Sequence, residues 1–510
     1  MKYSKLSFAI CLSSLSAAAL ADEAAFNELP QLASAQEYLS TQNNFTQNNF
    51  TQNNAHASER AYEVEPTQTA PAPEPFFKGG SDEHKSYGIP AAEIIGFDFL
   101  LNRINNEVHP NGDYEVTSST VKHNAGTSWV TDNDPFSTNQ FFHPYQGSMY
   151  HGFARSAGLG YWESSAYTFL GSVFWEVAGE NTPPAKNDQI ASGIAGSFLG
   201  EPFFRMANLI LEGDNGLPRF WRELAAATIS PSTGFNRFAF GDRFDSIFPS
   251  HDPAYYSRLQ IGLSSATQDR AGASTQHKTN EVFVDYSMDY GLPGKPGYRY
   301  ERPFDYFFFN VTASSANTIE NVMSRGLLYG TDYKAGDNYR GVWGIYGSYD
   351  YLSPQIFSVS STALSLGTTA QWWLSKSVAL QGSVLAGAGY TAVSTLHGDA
   401  ENDYHYGLSP QAQVALHLTF ENKAALDFRA REYYVAGNVE NRGGHDNIAR
   451  ADVSFTVRVH RQHSVGIKYV WTQRDAAFTD IGATTQTRGA IGIYYAFLGG
   501  DHMGTVDWRQ

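Results

Sequence analysis

Between residues 143 and 205 the chain crowds ionisable side chains among apolar neighbours. They are His143, Tyr145, Tyr150, His151, Arg155, Glu163, Glu176, Glu180, Asp188, Glu201 and Arg205. Three kinds of chemistry use such residues. Imidazole and carboxylate are common zinc ligands, so His143 and His151 with Glu176 and Glu180 could hold a metal. Their spacing matches no compact motif such as H-E-x-x-H. His143 could serve as base for Ser148, which would suit hydrolysis of a lipid ester. No G-x-S-x-G elbow accompanies Gly147-Ser148. General acid–base work on lipid would fall to His143, Glu176, Glu180 and Asp188. The plainer reading is a polar network that braces packed helices. Glu201 and Arg205 stand four apart and pair on a helix. Glu176 and Glu180 are also four apart and repel, unless a proton, a cation, Arg155 or Arg205 lies between them. In this reading His143 is a cap or a hydrogen-bonded core histidine beside Pro144. The network is the expectation, with no resident metal or cofactor; a lipid-modifying enzyme or hydrolase is the alternative.

These groups need helices to place them. From residue 91 to 230 the apolar period is helical: Ile94, Phe97, Leu101 and Ile104 follow 3–4 spacing. Phe153 to Val177 repeats the pattern, and Leu217 to Ile229 closes the region. Ile190 to Leu211 is the most apolar stretch and is interrupted by Pro202. It carries Ser192, Gly196 and Gly200 at intervals of four, small residues that let another backbone approach closely.

From about Tyr255 the period changes to two. Ala449, Ala451, Val453, Phe455, Val457 and Val459 alternate with Arg450, Asp452, Ser454, Thr456, Arg458 and His460. One strand face is therefore apolar and the other charged. Val465, Ile467, Tyr469 and Trp471 repeat the code against Gly466, Lys468, Thr472 and Arg474. Roughly a dozen strands follow in this way, many reaching the ~9–11 residues that cross a bilayer at a tilt. Tight turns at 421–423 and 460–462 alternate with longer links at 391–403 and 436–445. On the polar face Asp427, Arg429, Arg431, Arg450, Asp452, Arg458 and Lys468 mix both signs. Mixed signs suit pairing between neighbouring strands better than a single-sign anion filter. Gly492, Tyr495 and Phe497 resemble the glycine-and-aromatic signal recognised by the barrel-insertion machinery, although Leu498 to Gln510 follow it. A soluble periplasmic β-protein is the remaining reading. It requires outward Trp343, Ile345, Tyr349 and Tyr351 to be buried by a second sheet.

The ends and the composition set the compartment. Lys2 and Lys5, the apolar run Leu6 to Leu15 and Ala19-Leu20-Ala21 read as a secretory signal cleaved after Ala21. The only cysteine, Cys11, leaves with it. Residues 22–90 read as a low-complexity periplasmic lead, with Thr41-Gln-Asn-Asn-Phe45 repeated from Thr46 and a Pro-rich Ala70 to Pro75. Net charge is −16, which argues against nonspecific nucleic-acid binding. Aromatic residues make up 14% of the chain, as suits interfacial girdles. Mean hydropathy of −0.36 excludes a helical membrane bundle but not a barrel.

The pieces His143-Pro144-Tyr145-Gln146-Gly147, Arg155, Trp175-Glu176, Asp188, Gly196, Gly200-Glu201 and Arg205 occur in an order that resembles the bacterial family called domain of unknown function 3943, over about residues 135–212. The resemblance implies an envelope protein with a helical segment ahead of a barrel-like sheet, and no settled activity. The combined expectation is a mainly β chain: a transmembrane antiparallel barrel of about 12 strands over residues 231–510, preceded by a helical domain over residues 91–230. The helices would plug the barrel or cap its periplasmic mouth. Outer-membrane lipid and the insertion machinery would be its partners, the outer membrane its location, and a structural or conduit role its function.

Overall fold

A computed structural model describes residues 85–506, apart from 109–111, 133, 214–215, 245–247, 270–276, 396–400, 402, 438–442, 480–481 and 501. The leader, its cleavage site and the repeats fall outside the described residues.

Twelve antiparallel strands close into a barrel, each paired with its sequence neighbours and β1 with β12. They are β1 (Tyr255–Asp269), β2 (His277–Tyr290), β3 (Phe307–Ser314), β4 (Asn321–Ala335), β5 (Tyr339–Leu352), β6 (Val359–Trp373), β7 (Val378–Ser394), β8 (Tyr404–Phe420), β9 (Ala424–Ala436), β10 (Gly444–His460), β11 (His463–Phe478) and β12 (Gly482–Gly499). Closure removes the sheet edges that a long open sheet would leave. The alternation decides which face is which. In β10, Val453, Phe455, Val457 and Val459 are exposed on the outside, while Arg450 and Asp452 ion-pair within the lumen. Ile467 and Tyr469 in β11 and Ile491 and Ile493 in β12 continue the outer apolar belt. The chain enters β1 and leaves β12 at one end of the barrel, here called the entry end. Four of the five connections there are tight, whereas β2–β3 is long.

Among the described residues, eight α-helices precede the barrel: α1 (Gly88–Val108), α2 (Ser118–Gly126), α3 (His143–Ser156), α4 (Tyr161–Ala178), the single turn α5 (Lys186–Asp188), α6 (Gly196–Glu212), α7 (Arg219–Ile229) and α8 (Pro231–Phe240). Pro144 lies in the first turn of α3, directly after the π-helical stretch Thr138–Phe142. The helical pattern through Phe153 to Val177 is split because Gly158 takes φ +87°, ending α3 before α4 begins. Glu163 then accepts the Gly160 amide at 2.8 Å and starts α4. Five- and seven-residue π-helical stretches, Thr138–Phe142 and Gln189–Ala195, lead into α3 and α6. The small-residue row does what its spacing implies. A Cβ on Gly196 would strike the backbone of Gly147 and Ser148, and one on Gly200 would strike His151 and Ser148. α3 is accordingly the central helix, buried along most of its length. Helical structure continues past residue 230, because α8 packs back on α3 and α7.

The expected plug or periplasmic cap is not what these helices form. Their contacts fall on outward-facing barrel residues. Ser324 of β4 donates to the Phe198 carbonyl at 2.5 Å, and Tyr349 of β5 donates to the Gln140 carbonyl at 2.5 Å. Phe203 meets Phe309 of β3 edge-on, and Phe136 meets Tyr404 of β8. The alternate residues of the same strands, Arg325 and Asp350, pair inside the lumen. The helical domain therefore stands against the outer wall. The reason is visible in the strands: Phe307, Phe309, Tyr349, Tyr351, Tyr404 and Tyr406 form an outward aromatic surface that packs into one core with Phe141, Tyr161, Phe198 and Met206. Of the four β5 residues expected to face outward, Tyr349 and Tyr351 are covered by helices rather than by a second sheet, while Trp343 and Ile345 stay bare.

Candidate functional site

The ionisable groups of residues 143–205 separate into two buried clusters. In the first, α3 and α6 cross closely enough for Glu201 to meet both helices. Glu201 accepts from Arg155 Nε at 2.7 Å and Nη2 at 3.1 Å, and from Arg205 Nε at 2.8 Å. His151 Nε2 lies 3.0 Å away. Arg205 reaches on to Asp305 at 2.9 Å and the Pro303 carbonyl at 2.7 Å, in the β2–β3 connection. The i,i+4 pair is thus one edge of a network that ties helices to barrel. Phe204 and Phe248 lie against the Arg155 guanidinium.

The second cluster gathers acids near the far rim, where Tyr404 begins β8. Asn187 donates to Asp132 at 2.7 Å and to Asp188 at 3.0 Å, and Asn139 bridges Asp132 (2.6 Å) and the Tyr404 hydroxyl (2.8 Å). Glu176 takes the Ala185 amide at 2.8 Å through one oxygen, while its other oxygen has no partner. Glu180 accepts from Trp175 Nε1 at 2.8 Å. Among the described residues no arginine pairs with Glu176 or Glu180, and both carboxyls are instead pushed toward their protonated forms. Burial, then Asp134, pushes Glu180 up to about 8. Burial and Glu180 raise Glu176, and burial with Glu176 and Asp132 raises Asp188. Burial lowers His143 to about 4, leaving a neutral imidazole.

This geometry bears on each proposed chemistry. The four residues considered as metal ligands are divided, since His151 joins Glu201 while His143 faces Asp188 at 3.9 Å. Among the described residues no three His, Asp or Glu converge on a metal position. Ser148 donates to the Tyr145 carbonyl at 2.6 Å rather than to His143. The hydroxyl beside His143 is instead Ser192, with its Oγ 3.2 Å from Nδ1. Ser192, His143 and Asp188 lie in nucleophile–base–acid order, yet all three are buried and Asp188 is too far to orient the ring. The spacing of 49 residues between Ser192 and His143 concealed this contact. The arrangement suits a hydrogen-bonded core histidine, braced by neutral acids.

All seven lumen charges point inward, and the ion pairs reach further than neighbouring strands. Arg258 of β1 meets Asp427 of β9 at 2.6 Å, and Arg488 of β12 meets Glu281 of β2 at 2.9 Å. Arg431 of β9 lies 3.6 Å from Asp350 of β5, and Lys468 of β11 lies 3.8 Å from Asp285 of β2. Arg450 pairs with Asp452 at 3.1 Å along its own strand. Arg429 stacks on Phe308, 3.8 Å from the ring centre. Arg458 makes no ion pair among the described residues. A cavity of about 100 Å³ remains in mid-lumen, bordered by Arg258, Asp285, Asp289, Arg429, Arg450 and Lys468.

Sequence reasoning missed the segment after β12. Residues 502–506 turn back into the entry mouth. His417 lies 2.7 Å from the Met503 carbonyl, while Gln371 and Trp373 donate to the Val506 carbonyl at 2.9 and 3.0 Å. Gln381 donates to the Gly504 carbonyl. Its only advance signal was that the aromatic end signal does not end the chain.

These features define a class: a closed antiparallel barrel with an apolar outer belt and an ion-paired lumen, the architecture of outer-membrane barrels, carrying a helical domain on its wall. Residues 128–232 match the family described as Domain of unknown function (DUF3943), covering and extending the stretch on which the resemblance was drawn. No curated protein matches the chain. Among solved structures, the NanC porin is similar at 8% identity, covering 46% of this chain and 98% of its own, with a TM-score of 0.26. The outer membrane channel DcaP of Acinetobacter baumannii is similar at 8% identity over 48% and 97%, with a TM-score of 0.21. The translocator domain of the autotransporter NalP from Neisseria meningitidis is similar at 14% identity over 48% and 88%, with a TM-score of 0.23. At such values these likenesses carry no argument about what this barrel does.

Proposed function

We propose that the protein resides in the bacterial outer membrane as a shut barrel, with a structural or gated-conduit role, and that its own C-terminal segment closes the entry mouth. The observation that carries this reading is the placement of residues 502–506 inside the lumen, hydrogen-bonded to β6, β7 and β8. The cross-lumen ion pairs support it, because each one spans space that an open pore leaves to water. The apolar belt supports the location, since only a closed barrel or a helix satisfies its backbone in lipid.

The test is conductance in a planar lipid bilayer. The intact protein should show little steady current, and a chain ending at Gly500 should show discrete openings. Both proteins should shift on a gel between unheated and heated samples, which establishes that each is a folded barrel. Equal, large currents from the two would refute closure by the tail.

A further inference from the structure

We propose that the helical domain is itself immersed in the bilayer beside the barrel, with lipid acyl chains covering its outer helices. The inference rests on the outer-membrane reading above and adds a lipid contact that barrel strands do not make. It begins with position. The helices occupy the outer wall of strands whose neighbours around the barrel present bare apolar side chains, such as Ile493 at 63% exposed. On β5 itself Trp343 and Ile345 are bare while Tyr349 and Tyr351 are covered by the helices, so lipid that meets the bare part of this strand lies beside the domain.

The outer layer is built for that contact. α4 leaves Ala166, Phe169, Leu170 and Phe174 exposed and no charged residue, and every exposed residue of α8 is Phe or Ala. Phe99 of α1 is 64% exposed, Trp221 of α7 is 52% and Phe238 of α8 is 90%. Large apolar side chains exposed together on the paired helices α1 and α4, and α7 and α8, mark a surface that meets another apolar phase. The buried charges meanwhile include the Arg155–Glu201–Arg205 network, and the exposed charges of the outer helices fall in the last two turns of α1, at Arg103 and Glu107, and the first turn of α7, at Arg219.

The ends fit the same placement. The exposed residues of α2 are Ser118, Ser119, Lys122, His123, Ala125 and Gly126, giving a mostly polar surface. That end joins the far rim, where Glu401 accepts the Ser137 amide at 3.0 Å. At the entry end Lys295 pairs with Asp252 at 2.6 Å and Arg302 donates to the Pro249 carbonyl at 3.1 Å. Polar contacts thus occur at both ends of the barrel, through Ser137 and Glu401 at the far rim and through Lys295, Asp252 and Arg302 at the entry end. No described helix is long and apolar enough to cross a membrane. The barrel does the crossing, and the helices lie along its wall.

The test uses the absence of cysteine after Cys11. Single cysteines are introduced as Leu170→Cys and Phe238→Cys, with Ile493→Cys as the barrel-wall reference and Lys122→Cys as the aqueous reference. Each is spin-labelled and placed in vesicles of phosphatidylcholine and phosphatidylglycerol, after a heat-shift gel confirms folding. Relaxation by oxygen, which concentrates in lipid, is compared with relaxation by a water-soluble nickel chelate. Labels at 170 and 238 should match 493, with oxygen relaxation several-fold above nickel, and 122 should show the reverse. Nickel access at 170 and 238 with 493 in lipid would overturn the immersed domain and leave the outer-membrane barrel intact. Shielding of both helix labels from both reagents would overturn it in favour of a protein partner or a second copy. Nickel access at 493 itself would overturn the outer-membrane reading.

Discussion

Replacing Glu201 by alanine should loosen the packing of α3 on α6 within the helical domain without opening the barrel. Glu201 is fully buried and is the shared acceptor of Arg155, Arg205 and His151. The two arginines do not suffer equally. Arg205 keeps Asp305 at 2.9 Å and the Pro303 carbonyl at 2.7 Å. Arg155 keeps only the Leu159 carbonyl at 2.6 Å and the faces of Phe204 and Phe248, so its charge is left buried without a counter-ion. Breaking such a pair costs about 3–5 kcal/mol. A partly buried pair gives the scale: Lys85 donates to Glu163 at 2.7 Å, and replacing Lys85 by alanine should cost about 0–1 kcal/mol while leaving the bond of Glu163 to the Gly160 amide in place. Urea unfolding in detergent would read the difference through Trp162 and Trp175, while a heat-shift gel follows the barrel separately. The double variant Arg155→Leu with Glu201→Leu should recover part of the loss, because an apolar filling removes both desolvated charges. The reasoning fails if Glu201→Ala unfolds at the same urea concentration as Lys85→Ala.

Three further outcomes follow from the geometry. Gly196→Ala should destabilise the helical domain by about 1–3 kcal/mol through overpacking, since its Cβ meets the Gly147 backbone; Gly213→Ala, at the ordinary contact distance of 3.4 Å from the Leu209 carbonyl, serves as the control. Glu180→Gln should flatten the pH dependence of stability: the folded carboxyl holds its proton to about 8 against an ordinary 4.5, so its contribution is full below 4.5 and is lost as pH rises through 8. Urea midpoints that fall equally in both proteins across that range would contradict the placement of this acid. His143→Ala should leave the lipid composition of the outer membrane like that of the parent strain, since His143 is a buried neutral histidine beside Ser192; a changed lipid profile in a folded variant would revive the catalytic reading.

The strand alternation was legible because side-chain direction in a strand is a local property. Val453 and Arg450 necessarily face opposite ways whatever else the chain does. The same locality made the helices at Gly88–Val108 and Arg219–Ile229 readable, along with the close approach implied by Ser192, Gly196 and Gly200. The ion pair of Glu201 with Arg205 was equally local, being one helical turn apart.

Locality also sets the limit. Whether Tyr349 and Tyr351 would meet lipid, a second sheet or helices depends on a partner surface far away in the chain, and only packing supplied Phe136 and Phe141. The two histidines were indistinguishable in sequence, but the crossing of α3 with α6 sends His151 to Glu201 and leaves His143 with Ser192. Lumen charges could be assigned a face but not a mate, because barrel curvature brings β1 opposite β9, so Arg258 finds Asp427 across the interior. The sequence by itself therefore determined the strands, the helices and the charged lumen. The tertiary structure alone decided that the helices stand outside and the C-terminal segment inside. Periodicity records which way each side chain points, whereas occupancy of the lumen and of the outer wall depends on surfaces that exist only once the barrel has closed.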